Sequence, residues 1–95
     1  MRVPPEITRD IGHLLDTLAQ IWIVPTESRS SESFGNYCVD CRAPFGWLRI
    51  SRDRSQYIAD IRSKNELKAA GLFRAFDDKN EFTATLLAWL RTRAA

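Results

Sequence analysis

The run YCVDCRAPFGWLRISRDRSQYIADIR, residues 37–62, decides the fold because apolar and polar side chains alternate along it. The alternation covers three segments, 37–43, 47–52 and 56–62, and short turn-forming stretches, PFG and DRS, separate them. Period-two alternation with short connections is typical of an antiparallel meander with one buried and one solvated face. The pattern therefore predicts three neighbouring antiparallel strands.

The two faces of this predicted sheet carry different side chains, because successive residues of a strand point to opposite sides. The face to be covered by helices carries Tyr37, Val39, Leu48, Ile50, Tyr57 and Ile61. The outer face carries Asp40, Arg42, Trp47, Arg49, Ile58, Asp60 and Arg62, with Arg52 and Arg54 at one of the turns. An apolar inner face of this kind needs a covering layer of helices.

Apolar stripes at helical spacing flank the sheet segments on both sides. Ile7, Ile11, Leu14, Leu15 and Leu18 fall at the spacing of one helix face and predict a helix over residues 5–20. Phe82, Leu86, Trp89 and Leu90 likewise predict a helix over residues 79–93.

A further helix is predicted from about Lys64, because Ser63 and Glu66 have the spacing of a capping box. We favour a helix that continues through Phe73. The alternative is that Gly71 ends the helix early and residues 72–76 form a fourth strand.

The segment between the first helix and the meander is less regular. Residues 21–24, IWIV, read as a short strand or as an irregular continuation of the helix. Residues 26–36 are rich in Ser and Glu and predict a mobile loop. The chain, residues 1–95, is thus predicted to be a single two-layer α+β domain. It has an N-terminal helix, a three- to four-stranded antiparallel meander and two C-terminal helices packed on one face.

Composition narrows the classes of function. The net charge of +2 is too small to predict nucleic-acid binding from global electrostatics. No segment reaches the roughly 20 continuous apolar residues of a membrane span, and the N-terminal residues lack the pattern of a signal peptide. The two cysteines fit a reducing compartment, so we expect a cytoplasmic protein without a membrane partner.

Cys38 and Cys41 have the spacing of half a zinc site, but a structural zinc ion needs four ligands. The one histidine, His13, lies far away in a helical register. In an extended strand, moreover, residues three apart point to opposite faces. We therefore expect Cys41 in the core, Cys38 facing solvent, and no metal. A redox role or a zinc ion shared between chains stays as the minor alternative.

The surroundings of the cysteine pair, Gly35 to Pro44 with Trp47 just beyond, resemble the opening of the zinc finger in Arf GTPase-activating proteins. That family has a Cys-x-x-Cys pair followed by Ala-Pro and then a Trp. The resemblance covers only this short stretch, and the family's second Cys-x-x-Cys does not follow in this chain. The zinc site could not close, so we carry no function over from the family.

The sequence predicts no catalytic residues and no cofactor. A hydrolytic triad would have to use His13, the serines of the 26–36 segment lack a nucleophile elbow, and no Gly-rich phosphate loop is present. We therefore expect a small non-enzymatic protein-binding module that acts by steric occlusion or as an adaptor, of the inhibitor, immunity or anti-defence type. Its partner, another protein, would contact the outer face.

The alternative is a nucleic-acid-binding module, in which Arg42, Arg49, Arg52, Arg54 and Arg62 grip phosphates around Trp47. Asp40, Asp53 and Asp60 are interleaved with these arginines and dilute a phosphate-binding stripe, so this alternative ranks second. The sequence does not indicate the oligomeric state.

Overall fold

The computed structural model describes residues 2–31 and 35–94, which form a four-stranded antiparallel sheet and three helices. The elements in chain order are α1 (Pro5–Ala19), β1 (Val24–Ser30), β2 (Tyr37–Ala43), β3 (Gly46–Asp53), β4 (Gln56–Asp60), α2 (Lys64–Ala69) and α3 (Lys79–Ala94). The strands lie side by side in the order β1-β2-β3-β4. The predicted α+β class, meander and terminal helices are confirmed.

The inner face of the sheet is apolar and buried, as the alternation predicts. Val39 pairs with Ile50, and Ile50 pairs with Ala59, so three buried side chains lie in one row across the sheet. The apolar stripes of the helices cover this row, and Phe82 of α3 stacks against Tyr57 with ring centroids 5.8 Å apart. Burying each such aliphatic or aromatic side chain stabilises the fold by about 1.5–3 kcal/mol.

Strand β1 lies where a mobile loop was predicted. Residues 26–30 belong to β1 and residues 27–30 pair with β2, whereas residues 32–34 of that predicted loop lie outside the described residues. The prediction missed β1 because its sequence is polar and lacks apolar alternation. As an edge strand, β1 is held by backbone hydrogen bonds to one neighbour only, β2. Pro25 is tolerated there, and the register shifts between Pro25 and Glu27, as at a β-bulge.

Gly71 ends α2, the first of the two C-terminal helices, early, so the predicted helix through Phe73 is wrong. Gly71 has a φ of +73°. Its N–H donates to the carbonyl of Lys68 (3.1 Å), and the N–H of Leu72 donates to that of Leu67 (2.9 Å). This pair of bonds is a Schellman motif. Residues 72–76 do not form the alternative strand either. Phe76 forms an isolated β-bridge to Tyr57 of β4, through two backbone hydrogen bonds.

The same motif ends α1, with tryptophan in the place of glycine. The N–H of Trp22 donates to the carbonyl of Ala19 (3.2 Å), and the N–H of Ile23 donates to that of Leu18 (3.0 Å). Trp22 has a φ of 66° and a side chain that is 80% exposed. The left-handed conformation costs an L-residue about 1–2 kcal/mol, so this helix end is strained where the end of α2 is not.

Candidate functional site

Three cross-strand rows, set by the register, make up most of the outer face of the sheet. The Trp47 row contains Val24, Arg42 and Trp47. The charged row contains Glu27, Asp40, Arg49 and Asp60. The Ile58 row contains Arg29, Cys38, Ser51 and Ile58. The buried side chains of all three helices pack on the opposite face, so no helix of the described chain covers these rows.

The charged row is held together by ion pairs between its own members and its neighbours. The Nε of Arg49 donates to Oδ1 of Asp40 (2.6 Å) and its Nη2 donates to Oδ2 (3.2 Å), which is a bidentate contact. This hydrogen bonding holds the pKa of Asp40 below its ordinary value and raises the pKa of Arg49. Asp60 pairs with Lys64. Arg49, at the centre of the face, is thus already paired with a carboxylate of the chain.

The Trp47 row carries positive charge that is not compensated in this way. Arg42 is exposed and has no ion pair within the described residues, and the same holds for Arg62, which follows β4 at this end of the sheet. The guanidinium of Arg49 lies 5.8 Å from the ring centroid of Trp47, within the range of a cation–π contact. The indole is half-buried and lies against Arg49.

Two shallow grooves of the outer face meet at Arg49. One, of about 560 Å³, lies around Trp47 and is lined by residues of β1, β2 and β3. The other, of about 460 Å³, lies between β4 and the segment after α2, where Ile58 and Phe73 provide apolar walls. Phe73 is 53% exposed. The face thus offers two apolar contact points on either side of an ion pair.

The structure brings most of the predicted site residues together and separates two. Arg42, Trp47, Arg49, Ile58 and Asp60 share the outer face, and Arg62 lies just past its edge. Arg54 lies in the β3–β4 turn with a φ of 52°, and its backbone N–H donates to the side-chain oxygen of Asn36 (3.0 Å).

Arg52 faces the helix side instead, because it has the same parity in β3 as the buried Leu48 and Ile50. Its guanidinium lies 5.9 Å from the ring centroid of Tyr57, and its Nη1 donates to the carbonyl of Gly35 (3.3 Å). Its Nε is 3.9 Å from a carboxylate oxygen of Asp10. Arg52 is therefore part of the packing at the rim of the core and does not share the outer face.

A polar cluster around Asp10 on the helix side escaped the sequence analysis. The carboxylate accepts hydrogen bonds from the hydroxyls of Tyr37 (2.7 Å) and Tyr57 (2.9 Å) and from Nζ of Lys79 (3.3 Å). Burial opposes the charge, but these donors outweigh it and keep the pKa of Asp10 below its ordinary value. The cluster joins α1, β2, β4 and α3, and no local spacing in the sequence announces it.

The two cysteines lie on opposite faces, as strand geometry predicts. Cys41 is buried in the core, and burial together with the neighbouring charge of Asp40 raises its pKa to about 12. Cys38 lies in the Ile58 row and is partly exposed. Within residues 2–31 and 35–94, no group of three or more His, Cys, Asp or Glu side chains is placed to hold a metal ion.

No family model matches the chain, and neither a curated protein nor a solved structure is significantly similar to it. No helix in the described part of the chain combines the length and the apolar character needed to cross a membrane.

Proposed function

We propose that this protein is a small non-enzymatic protein-binding module whose outer face is covered by its partner. It would act by steric occlusion, as an inhibitor, immunity or anti-defence protein does, or as an adaptor. The observation that carries the proposal is the open outer face with Trp47 and Ile58 on it, opposite the layer of helices.

The residues of this face suit a protein contact. Trp and Arg are enriched at the centres of interfaces and supply most of the binding energy there. Here Trp47 is partly buried beside Arg49, so its position is already restricted before any partner binds. Less side-chain freedom is then lost on association. Large apolar groups exposed on an otherwise charged face often mark a contact surface, and here Trp47 and Ile58 lie on either side of the charged row.

The size of the face is also suitable. The 8 residues of β3 and the four strands span roughly 26 by 19 Å at about 3.3 Å per residue and about 4.8 Å per strand. This corresponds to roughly 500 Å² in projection, and the exposed Phe73 beside β4 extends it. A standard interface buries about 800 Å² on each partner. The face by itself is smaller than that area, so a partner of standard interface size would also contact the rim.

Nucleic-acid binding is the second candidate, and one observation favours it. Arg42 and Arg62, free of ion pairs within the described residues, lie at the same end of the sheet as Trp47, as a phosphate and a stacked base would require. The charged row next to them contains Glu27, Asp40 and Asp60, and these acids oppose a phosphate backbone that crosses the face. This opposition ranks protein binding first.

The proposal is tested by partner capture from native lysate with quantitative mass spectrometry, using matched double variants. Trp47→Ala with Arg49→Ala should abolish recovery of the specific partner, because both anchors of the outer face are removed. Trp22→Ala with Arg91→Ala removes the same two residue types from outside that face and should leave recovery unchanged.

Thermal unfolding of both variants checks that they are folded. Equal recovery of the partner by the two double variants would show that the outer face is not the interface. If the captured molecule is DNA or RNA, and its affinity falls log-linearly and steeply with salt, the second candidate replaces the first.

A further inference from the structure

The end of the outer face at the Trp47 row combines an aromatic surface with two exposed arginines, Arg42 and Arg62, that form no ion pair within the described residues. We infer that this end takes an acidic protein segment, with carboxylates on Arg42 and Arg62 and an apolar side chain against the Trp47 indole. This inference rests on the proposed function and names the chemistry of the partner.

The charge argument depends on which arginines are already paired. Arg49, Arg74 and Arg93 each contact a carboxylate of the chain, so each already has an acidic partner. Arg42 and Arg62 are exposed and make no such contact within the described residues. A guanidinium presents a planar fork of donors that matches a carboxylate. The two unpaired forks, Arg42 in the Trp47 row and Arg62 past the end of β4 at the same end of the sheet, thus favour an anionic partner group.

The apolar argument depends on the groove around Trp47. Its lining includes Gly46, where a Cβ atom would meet nothing within 4 Å, so space is open at this point of the groove. The groove measures about 560 Å³. That volume can hold one large apolar side chain of a partner beside the indole. Glu27 and Asp40 line the groove on the side of the charged row, so the carboxylates of the partner would lie at the other side, on Arg42 and Arg62.

The neighbouring charged row favours a protein segment over a nucleic acid. Residues two apart on a strand lie about 7 Å apart, so Asp40 and Glu27 follow the Trp47 row closely. A phosphate backbone carries its charge continuously and would meet these acids wherever it crossed the face. A protein segment can place its acids at one end and neutral side chains opposite the charged row.

The inference is tested by selecting short peptides from a displayed random library on the full-length protein. We expect the selected peptides to be acidic and to contain an aromatic residue or leucine. For a synthesised winner, Arg42→Ala with Arg62→Ala should weaken binding about tenfold, since each exposed charge pair accounts for a few-fold. Trp47→Ala should weaken it about 30-fold, as an interface anchor does. The matched Arg9→Ala with Arg91→Ala removes two exposed arginines elsewhere and should leave the affinity unchanged.

The inference would be overturned if the selected peptides were neutral or basic, or if they were enriched equally on the R42E and R62E double variant. It would also be overturned if the Arg9 and Arg91 control lost as much affinity for the peptide as the Arg42 and Arg62 variant. Tighter binding of a single-stranded oligonucleotide than of any selected peptide would overturn it as well. If a partner captured from lysate is lost with Trp47 and Arg49 but retained without Arg42 and Arg62, the proposed function stands and this inference fails.

Discussion

Leu48 and Trp47 are neighbours in β3, yet their side chains lie in different environments. Leu48 is 0% exposed and contacts the helix-covered core, whereas Trp47 lies half-buried on the outer face. Cys41 and Cys38 of β2 show the same contrast. The two faces of the same strands therefore differ: the inner face packs in the core, and the outer face is available for contact with other molecules.

The largest expected effect tests this separation at the Leu48–Trp47 pair. Leu48→Ala should lower the free energy of unfolding by about 3 kcal/mol, because a buried side chain is lost and a cavity remains. Trp47→Ala should lower it by less than about 1 kcal/mol. Urea unfolding measures both values. Comparable losses in the two variants would mean that the outer face also carries the fold.

The Asp10 cluster extends the comparison of the two faces, because it places a network of polar hydrogen bonds on the helix side of the sheet. Asp10→Asn should destabilise the protein by about 2 kcal/mol, because hydrogen bonds to a charged acceptor weaken. Asp16→Asn, at an exposed position of the same helix, serves as the control.

The pH dependence follows from the same carboxylate. The folded-state pKa of Asp10 lies below the ordinary value of 3.8. Its contribution is therefore fully present above pH 3.8 and is lost as the pH falls through the folded-state pKa. Urea unfolding at a series of pH values should show a smaller acid-induced loss in Asp10→Asn than in the wild type. An identical loss in both would remove Asp10 from the explanation.

Trp22 tests whether the proposed contact surface ends at the outer face. Trp22→Gly should raise stability by about 0.5–1 kcal/mol, since it relieves a left-handed conformation at a position with little side-chain burial. Gly71→Ala, at the equivalent position of α2, should lower stability by about 1 kcal/mol. Thermal unfolding measures both. If Trp22→Gly instead abolished partner capture, the interface would extend to the end of α1.

The smallest expected effect concerns the cysteines. Cys38 should react with a thiol reagent in the native protein, whereas Cys41 should react only after unfolding, because burial keeps it protonated and inaccessible. Cys38→Ser should change stability by less than about 0.5 kcal/mol. Labelling followed by mass spectrometry of Cys38→Ser and Cys41→Ser assigns each site. Native labelling of Cys41 at the rate of Cys38 would contradict the assigned strand parity.

Sequence reasoning placed most of the outer face correctly and missed particular features for identifiable reasons. Arg42, Trp47 and Arg49 were placed by alternation alone, which is a local property. Arg52 was placed at a turn, although the same alternation, continued by two residues from Ile50, assigns it to the helix side. Strand β1 was missed because its residues carry no apolar period, and its partner β2 supplies the hydrogen bonds instead.

The sequence by itself determined the three-strand meander, the faces of its side chains and the two long helices. It could do so because side-chain direction repeats every 2 residues in a strand and every 3.6 in a helix, so local order suffices. Only the tertiary structure decided the fourth strand and the cluster that joins Asp10 to Tyr37, Tyr57 and Lys79. Those contacts join residues 27, 47 and 69 positions apart, and no local period encodes a meeting at that distance.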